Sequence, residues 1–212
     1  MLFGKIDYIN LLPFYTFTKK AIKSSQLKQS IAYKKDFPSA INKKFKTRKI
    51  DAAFISSIES KRGSFHCLDI GIVAKKEIQS VLVKEGEFMP DSHSATSNAL
   101  AKKLGIKGEV IIGDKALRAY LENPNLYIDL AKAWHEKHQL PFVFAVLCVN
   151  KNYHYYEKLS SGFIKTKVQI PQYILKKYAK SRGISTKNIL EYLKLVSYEI
   201  GVKEKKSLRK FL

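Results

Sequence analysis

The hydrophobic positions of this chain change period several times, from strand-like runs to helix-like spacing. Short apolar runs predict strands at residues 2–9, 27–33, 51–55, 67–73, 80–84, 109–112 and 127–129. Apolar positions three and four apart predict helices at residues 38–46, 95–104, 115–121, 153–163, 168–178, 185–192 and 205–211. Strands and helices that alternate in this way indicate an α/β fold with mainly parallel sheets.

The most continuous apolar run of the chain lies within residues 129–150. A polar helix pattern, with Leu130 and Trp134 on one side, ends at Leu140-Pro141. The run from Phe142 to Leu147 has no polar position, so it does not fit a strand with one face in water. It predicts a strand that is buried on both faces, as in a sheet covered by helices.

Residues with strong preferences for helix ends mark several boundaries. Pro13 suits a first helical turn, and Asp36 can cap the helix that follows it. Thr96 or Ser97 can start the helix that ends before Gly105, since glycine favours the left-handed conformation at a helix end. These signals support the predicted elements without fixing how they pack.

The chain has no internal repeat and no low-complexity linker. Two lobes joined directly by strands therefore fit the pattern better than two tethered domains. We expect the chain to cross between the lobes near residues 80–83 and 147–150. The first lobe is then discontinuous, at 1–80 and 149–212, and the second lobe occupies 81–148.

The composition is that of a folded protein without a membrane span. The 212 residues are 45% hydrophobic, which is sufficient for a core. No apolar run approaches the roughly 18 to 20 residues that cross a bilayer. The first residues lack the pattern of a signal peptide, so we expect a cytoplasmic protein without a membrane partner. Cys67 and Cys148 are far apart in apolar surroundings, which favours two buried free thiols over a disulfide or a metal site.

The formal net charge of +21 suggests nucleic-acid binding as one function. The lysines, however, are spread along the whole chain and do not form one basic block. Tyrosines between residues 153 and 178 could stack on bases, but tyrosines at the edge of a core explain them equally well. An ordinary solvated surface is the better interpretation, so we expect no nucleic-acid partner. The charge would still attract a small anionic substrate.

Three segments place small polar residues between a predicted strand and a predicted helix. They are Tyr8-Ile9-Asn10, Ser56-Ser57 and Thr96-Ser97. Free backbone N–H groups and the helix dipole make such positions anion sites, and ligands of open α/β sheets lie at the carboxyl ends of strands. For any one segment alone, a simple helix cap is the better interpretation. Acting together, the three could surround a small dicarboxylate.

The remaining candidate motifs give weaker evidence for a ligand site or a reaction. Gly113-Asp114 follows a strand, and it is either a ligand-binding turn or an ordinary turn capped by Asp114. His135 and His138 are three residues apart, whereas the zinc-protease motif needs histidines four apart. No Gly-x-Ser-x-Gly sequence is present. The residues alone therefore indicate anion binding and assign no reaction.

Eight segments carry a family pattern, and they occur in the family's order. They are DYINLLPFY (7–15), DAAFISSIES (51–60), QSVLV (79–83), ATSNALAKKLG (95–105), IIGDKAL (111–117), DLAKAWHEKHQLPFVFAV (129–146), ILEYLKLVSYEIG (189–201) and SLRKF (207–211). Together they resemble the menaquinone-biosynthesis chorismate dehydratases of the futalosine pathway. The resemblance spans nearly the whole chain.

The resemblance implies a two-lobed fold like that of type II periplasmic binding proteins, used as a cytoplasmic enzyme. It implies a hydro-lyase that removes water from chorismate to give 3-[(1-carboxyvinyl)oxy]benzoate. The ring carboxylate assists removal of the C3 hydrogen, and loss of the C4 hydroxyl makes an aromatic ring, so no cofactor or metal is required. The alternatives are the sister futalosine-pathway family, which acts on cyclic dehypoxanthinyl futalosine, and a non-catalytic protein that binds small anions.

The resemblance also implies roles for particular residues. Asn10 matches the family's motif asparagine; since an amide cannot be a base, we expect it to bond the leaving hydroxyl or a carboxylate. We expect Ser56, Ser57, Thr96 and Ser97, which lie at helix starts, to hold carboxylates. We expect Ser80 and Asp114 to line the cleft. The base stays open between a carboxylate of the substrate and Glu59.

Overall fold

Two sheets form the centres of two lobes in the computed structural model, which describes residues 1–25, 28–29, 35–63 and 65–212. The strands are β1 (Phe3–Gly4), β2 (Ala52–Ser56), β3 (His66–Ala74), β4 (Val81–Glu85), β5 (Gly108–Ile112), β6 (Ile128–Asp129), β7 (Phe142–Val149) and β8 (Val196–Glu199). The larger sheet has the order β1-β2-β7-β3-β8, and the smaller has the order β5-β4-β6.

Helices cover both sheets and connect most of the strands. They are α1 (Leu12–Ala21), α2 (Pro38–Lys46), α3 (Ser57–Arg62), α4 (Ala95–Leu104), α5 (Gly113–Glu122), α6 (Leu130–His138), α7 (Tyr153–Ile164), α8 (Gln172–Arg182), α9 (Thr186–Leu195) and α10 (Val202–Phe211). Short 3₁₀ helices lie at Ile9–Leu11 and Pro124–Leu126 within the described ranges. The mixed α/β architecture predicted from the alternating pattern is confirmed.

The helix boundaries agree with the predictions better than the caps do. Helix α4 has the predicted bounds, and Gly105 ends it in the left-handed conformation with φ of 74°. Thr96 and Ser97 lie in its first turn, as predicted, and its N-cap is Ser94, whose hydroxyl accepts a hydrogen bond from the Ser97 N–H. Asp36 does not cap α2, because its carboxylate accepts the Phe37 N–H and the Lys44 ammonium.

Most strands pair antiparallel, so the predicted mainly parallel pairing is wrong. Strand β7 runs antiparallel to β2 and β3, β8 antiparallel to β3, and β4 antiparallel to β5 and β6. Among these named strands, β1 and β2 form the parallel pair. The period of hydrophobic residues predicts burial but carries no information on strand direction. Within the described residues, the predicted strand at 2–9 shortens to β1, β8 is an unpredicted strand, and the predicted strand at 27–33 lies outside the described residues, apart from 28–29.

The predicted doubly buried strand is β7, at the centre of the larger sheet. All eight of its residues are buried between β2 and β3, as its unbroken apolar run indicates. The Phe142 ring packs against Trp134 of α6 and Phe211 of α10, with ring centroids 5.3 and 4.9 Å apart. Aromatic packing of this kind fixes the two helices on one face of the sheet.

The two cysteines are joined, so the expectation of free thiols is wrong. Cys67 on β3 and Cys148 on β7 form a disulfide, with their Cα atoms 4.0 Å apart. They are directly opposite each other in the antiparallel register of the two strands. A separation of 81 residues in sequence hides this neighbourhood, because only the pairing of β3 with β7 creates it.

The Asp129 carboxylate links the first segment that connects the lobes to helix α6. One carboxylate oxygen accepts the backbone N–H groups of Ile78 and Gln79, at 2.8 and 2.7 Å. The other oxygen accepts those of Ala131 and Lys132 and so caps α6. Four donors around one buried carboxylate fix the segment that leads into β4, directly before Ser80.

The division of the chain at residues 80 and 148 stays a prediction. Strand pairing puts β4, β5 and β6 in the smaller sheet, within the predicted second lobe. It puts β7 in the larger sheet, so by this criterion the chain returns before Phe142 and not near residues 147–150. No helix in the described part of the chain is long and apolar enough to cross a membrane.

Candidate functional site

A small cavity lies between the two lobes, where strands of both sheets end. Its volume is about 70 Å³. Its walls combine apolar side chains with the polar or flexible positions Tyr8, Asn10, Ser56, Ser80, Ser94, Ser97 and Gly113. Four of the residues selected from the sequence therefore meet here, namely Asn10, Ser56, Ser80 and Ser97. The ends of strands and starts of helices converge, as expected for an α/β ligand site.

The Asn10 side chain has an acceptor that no protein group uses. Its Oδ1 atom is buried and has no hydrogen-bond partner among the described residues. The Tyr198 hydroxyl donates to the Asn10 backbone carbonyl at 2.6 Å, which fixes the main chain at this position. Because an unpaired buried acceptor costs roughly 1–3 kcal/mol and Asn10 lines the cavity, this oxygen is a candidate acceptor for a ligand donor.

Tyr192 supports the polar wall from behind. Its hydroxyl and the Ser80 hydroxyl are 2.8 Å apart, and both side chains are buried. Burial raises the pKa of the Tyr192 phenol, while contacts from Ser80 and Asn10 partly lower it. The phenol therefore stays protonated and holds Ser80 and Asn10 in a fixed relation.

Ser56 is held on the opposite wall by a reciprocal pair of bonds. The Asn42 amide donates to the Ser56 hydroxyl at 3.0 Å, and the Ser56 N–H donates to the Asn42 carbonyl oxygen at 3.2 Å. Since Asn42 occupies an acceptor position of the hydroxyl, the Ser56 proton is available to a ligand. Asn42 was not selected from the sequence because it lies inside α2, fourteen residues away.

The start of α4 forms the third wall. Ser97 lines the cavity, and its hydroxyl lies 2.7 Å from that of the N-cap residue Ser94. The first N–H groups of a helix and its dipole attract anions, so this wall suits a carboxylate. Ser94 was not predicted as a site residue, although a serine directly before a helical pattern is a strong cap signal.

Ser57 and Thr96 do not line the cavity, and instead they join the lobes. Their hydroxyl oxygens are 3.3 Å apart, and Thr96 also accepts the Ile58 N–H at 3.3 Å. Both side chains are buried between α3 and α4. The structure thus places these two residues in a packing contact between the lobes and outside the cavity wall, and their contact with carboxylates stays a prediction.

Asp114 likewise joins the lobes at the mouth of the cavity. Its carboxylate accepts the Ile9 N–H and the Arg182 Nε–H, both at 2.9 Å. Burial raises the pKa of Asp114, and these two bonds act in the opposite direction. Asp114 therefore neither caps α5 nor faces the inner cavity, but holds the segment that leads to Asn10.

Asp7 lies at the centre of a cationic cluster beside this mouth. It accepts the Tyr178 hydroxyl at 2.7 Å and lies 3.1 Å from Lys5 and 3.5 Å from Lys35. Arg182 contacts it at 3.3 Å. Burial by itself would raise the pKa of Asp7, but the hydrogen bond from Tyr178 and the lysine charges outweigh it and lower the pKa to about 2.

We expect Asp7→Asn to lower the free energy of unfolding by about 2 kcal/mol at pH 7. A depressed folded-state pKa stabilises the protein above pH 4, and the contribution is lost as the pH falls towards 2. The difference between wild type and variant in chemical denaturation should therefore shrink between pH 4 and pH 2. Asp69→Asn is the control, because that carboxylate is 65% exposed. A constant difference across this range would contradict the expectation.

Tyr8 separates the inner cavity from a wider outer mouth. The mouth has a volume of about 550 Å³ and is lined by Asp7, Tyr8, Lys35, Asp36, Phe37, Asp91, His93, Ile112, Asp114, Lys115 and Arg182. The Tyr8 ring packs on Gly113 so closely that a Cβ atom there would lie 2.8 Å from the ring. Gly113 also has a φ of 72°, so glycine is required for both space and conformation.

No carboxylate belongs to the inner cavity wall among the described residues. Glu59, the candidate base, is buried in an ion pair with Lys46 and lines a different depression of the surface. The described residues contain no cluster of three or more acidic, histidine or cysteine side chains suited to a metal ion. The inner wall therefore offers hydroxyl, amide and backbone groups.

Comparisons with known proteins identify the family. A model of the menaquinone biosynthesis family matches residues 85–212, which is more than half of the chain. A chorismate dehydratase of Campylobacter jejuni subsp. jejuni serotype O:23/36 (strain 81-176) is 51% identical over 215 residues, covering 100% of this chain and 96% of that protein. The chain belongs to the menaquinone biosynthesis family. The cavity is thus the candidate active site of a menaquinone biosynthesis family member.

Solved structures show that this member of the menaquinone biosynthesis family shares its fold with binding proteins. A protein of Archaeoglobus fulgidus has a TM-score of 0.72 at 14% identity, over 99% of this chain and 94% of that one. The alkanesulfonate-binding protein SsuA from Xanthomonas axonopodis pv. citri, bound to MOPS, has a TM-score of 0.57 at 10% identity, over 100% and 90%. These likenesses confirm the two-lobed, periplasmic-binding-protein-like fold.

Proposed function

We propose that this protein removes water from chorismate and forms 3-[(1-carboxyvinyl)oxy]benzoate in menaquinone biosynthesis. The observation that carries the proposal is the 51% identity, along the entire chain, to a chorismate dehydratase. The interlobe cavity supports it, because its polar groups suit a small anion that bears a hydroxyl group. We also propose a cytoplasmic location, since a doubly charged metabolite does not cross a bilayer unaided.

Substrate binding uses the polar walls of the cavity. The Ser56 and Ser97 hydroxyls and the first N–H groups of α4 hold the carboxylates, with support from the helix dipole. The unpaired Oδ1 atom of Asn10 accepts the proton of the ring hydroxyl and so orients the C4 substituent. Ser80, fixed by Tyr192, completes the wall beside Asn10. In this arrangement, Ser57, Thr96 and Asp114 hold the lobes together around the substrate.

The side-chain carboxylate of chorismate itself is the base in this proposal. It takes the C3 proton, whose removal the ring carboxylate assists by delocalising charge, and aromatisation accompanies departure of the C4 hydroxyl. The absence of a carboxylate from the cavity wall among the described residues, together with the Glu59–Lys46 ion pair, supports this choice. The protein then contributes orientation and electrostatic stabilisation and uses no cofactor.

Purified protein should convert chorismate, in buffer with a chelator and no added cofactor, to a product lighter by one water. Ultraviolet absorbance would follow formation of the benzoate ring, and mass spectrometry would identify the product. Cyclic dehypoxanthinyl futalosine serves as the competing substrate for the sister reaction. Saturable binding of chorismate without conversion would instead support the non-catalytic function, and no conversion between pH 6 and pH 9 would reject the dehydratase proposal.

A further inference from the structure

The inner cavity is too small for chorismate alone. Its volume of about 70 Å³ is well below the roughly 300–1,000 Å³ of pockets that hold drug-sized ligands. The outer mouth adds about 550 Å³. A substrate of this size therefore has to occupy both spaces and pass the residues where they join.

Among the described residues, Tyr8 and Ile112 line both spaces. Of these, Tyr8 alone has a side-chain polar atom. In the part of the chain that the structure describes, the Tyr8 hydroxyl makes no hydrogen bond to another side chain or backbone group. Packing on Gly113 fixes the ring, so the phenol is held in place while its hydroxyl stays available to the substrate.

We propose that Tyr8 is a catalytic residue, the general acid that protonates the C4 hydroxyl of chorismate as it leaves. This inference rests on the proposed function. It supplies the leaving hydroxyl with a proton donor, because the Ser56 and Ser97 hydroxyls hold carboxylates in the proposed arrangement and the Ser80 hydroxyl is engaged with Tyr192. A leaving hydroxyl needs a proton, and a positioned acid contributes about 100-fold to 10,000-fold to such steps.

The bonds and protons of this step balance. The C3–H bond breaks, its proton goes to the side-chain carboxylate of the substrate, and its electron pair forms the new ring double bond. The C4–O bond breaks, and the Tyr8 proton joins the departing oxygen to give water. The tyrosinate then takes the proton from the carboxylic acid of the product, which restores the phenol.

Tyr8 carries the proton that this role requires. Burial, followed by the charges of Asp91 and Asp114, raises the pKa of Tyr8 to about 12. The phenol is therefore protonated at every working pH. Water has a pKa of about 15.7, so the proton moves downhill from the phenol to the departing hydroxide. Serine hydroxyls in the wall are weaker acids and serve as hydrogen-bond donors only.

Tyr8→Phe tests the proposal with the full-length protein. We expect kcat for chorismate to fall at least 100-fold while KM changes less than threefold, because only the transition state loses a donor. Tyr153→Phe is the matched control, since Tyr153 lies outside the cavity and its mouth and is partly exposed. Unchanged kcat in Tyr8→Phe would overturn the proposal.

A substrate with a better leaving group separates proton donation from simple positioning. The analogue 4-deoxy-4-fluorochorismate loses fluoride without needing a proton. With this analogue, the rate of Tyr8→Phe should be at least one tenth of the wild-type rate on the same analogue. An equal loss on both substrates would show that Tyr8 only shapes the site, and would overturn its role as acid. Failure of the wild type on chorismate would reject the proposed function itself, and the Tyr8 role with it.

Discussion

Replacing Asn10 by alanine should lower kcat for chorismate by about 100-fold to 1,000-fold, the effect of removing one preorganised polar group from an active site. The structural reason is the unpaired, buried Oδ1 atom in the cavity wall, which has no role in holding the fold. Steady-state kinetics followed by absorbance gives the rate, and thermal denaturation checks that the variant is folded.

The control for this experiment is Asn125→Ala, at an exposed position in the 3₁₀ helix Pro124–Leu126. We expect the control to match the wild type in both rate and stability. Normal kinetics in Asn10→Ala would remove this residue from the mechanism. A large fall in melting temperature would instead show that Asn10 acts mainly through its contact with Tyr192.

Replacing Asp129 by alanine should lower the free energy of unfolding by about 4 kcal/mol, the largest stability effect that we expect for a polar residue here. The variant loses a carboxylate that accepts four backbone N–H groups, and two of those donors, Ile78 and Gln79, lie in a segment that connects the lobes. For a chain of this length, the melting temperature should fall by about 12 °C.

Asp69→Ala is the control, because Asp69 is largely exposed and pairs with one lysine. Surface ion pairs of this kind contribute at most about 1 kcal/mol. The Asp129 variant should also lose activity, since Ser80 follows the displaced segment directly. If Asp129→Ala were as stable as the control, the Asp129 carboxylate would not be what holds the segment at Ile78 and Gln79 against α6.

Sequence patterns predicted most helices and strands of this fold, because each of them depends on the spacing of apolar residues that are close in sequence. The spacing of apolar residues predicted α4 with its bounds, and the unbroken run from Phe142 to Leu147 predicted the buried strand β7. Strand direction was predicted wrongly, since a buried strand has the same apolar pattern in either direction. The disulfide between Cys67 and Cys148 was missed for a related reason, because strand pairing alone brings the two residues together.

The candidate site was predicted in part for similar reasons. Small polar residues between a strand and a helix marked Asn10, Ser56 and Ser97, which do reach the cavity wall. The same pattern marked Ser57 and Thr96, and these contact each other instead. Neighbouring residues at a helix start, such as Ser56 and Ser57, have the same sequence pattern. Their side chains nevertheless point in different directions. Their separate environments depend on how the two lobes meet.

By itself, the sequence determined the family, the α/β class and the segments that meet at the cleft, because these follow from motif order and hydrophobic period. The tertiary structure decided which groups share that cleft. It brought Tyr192 behind Ser80, Arg182 beside Asp114, and the Tyr8 ring onto Gly113, over separations of 112, 68 and 105 residues. Such contacts depend on lobe packing, which local periodicity does not encode.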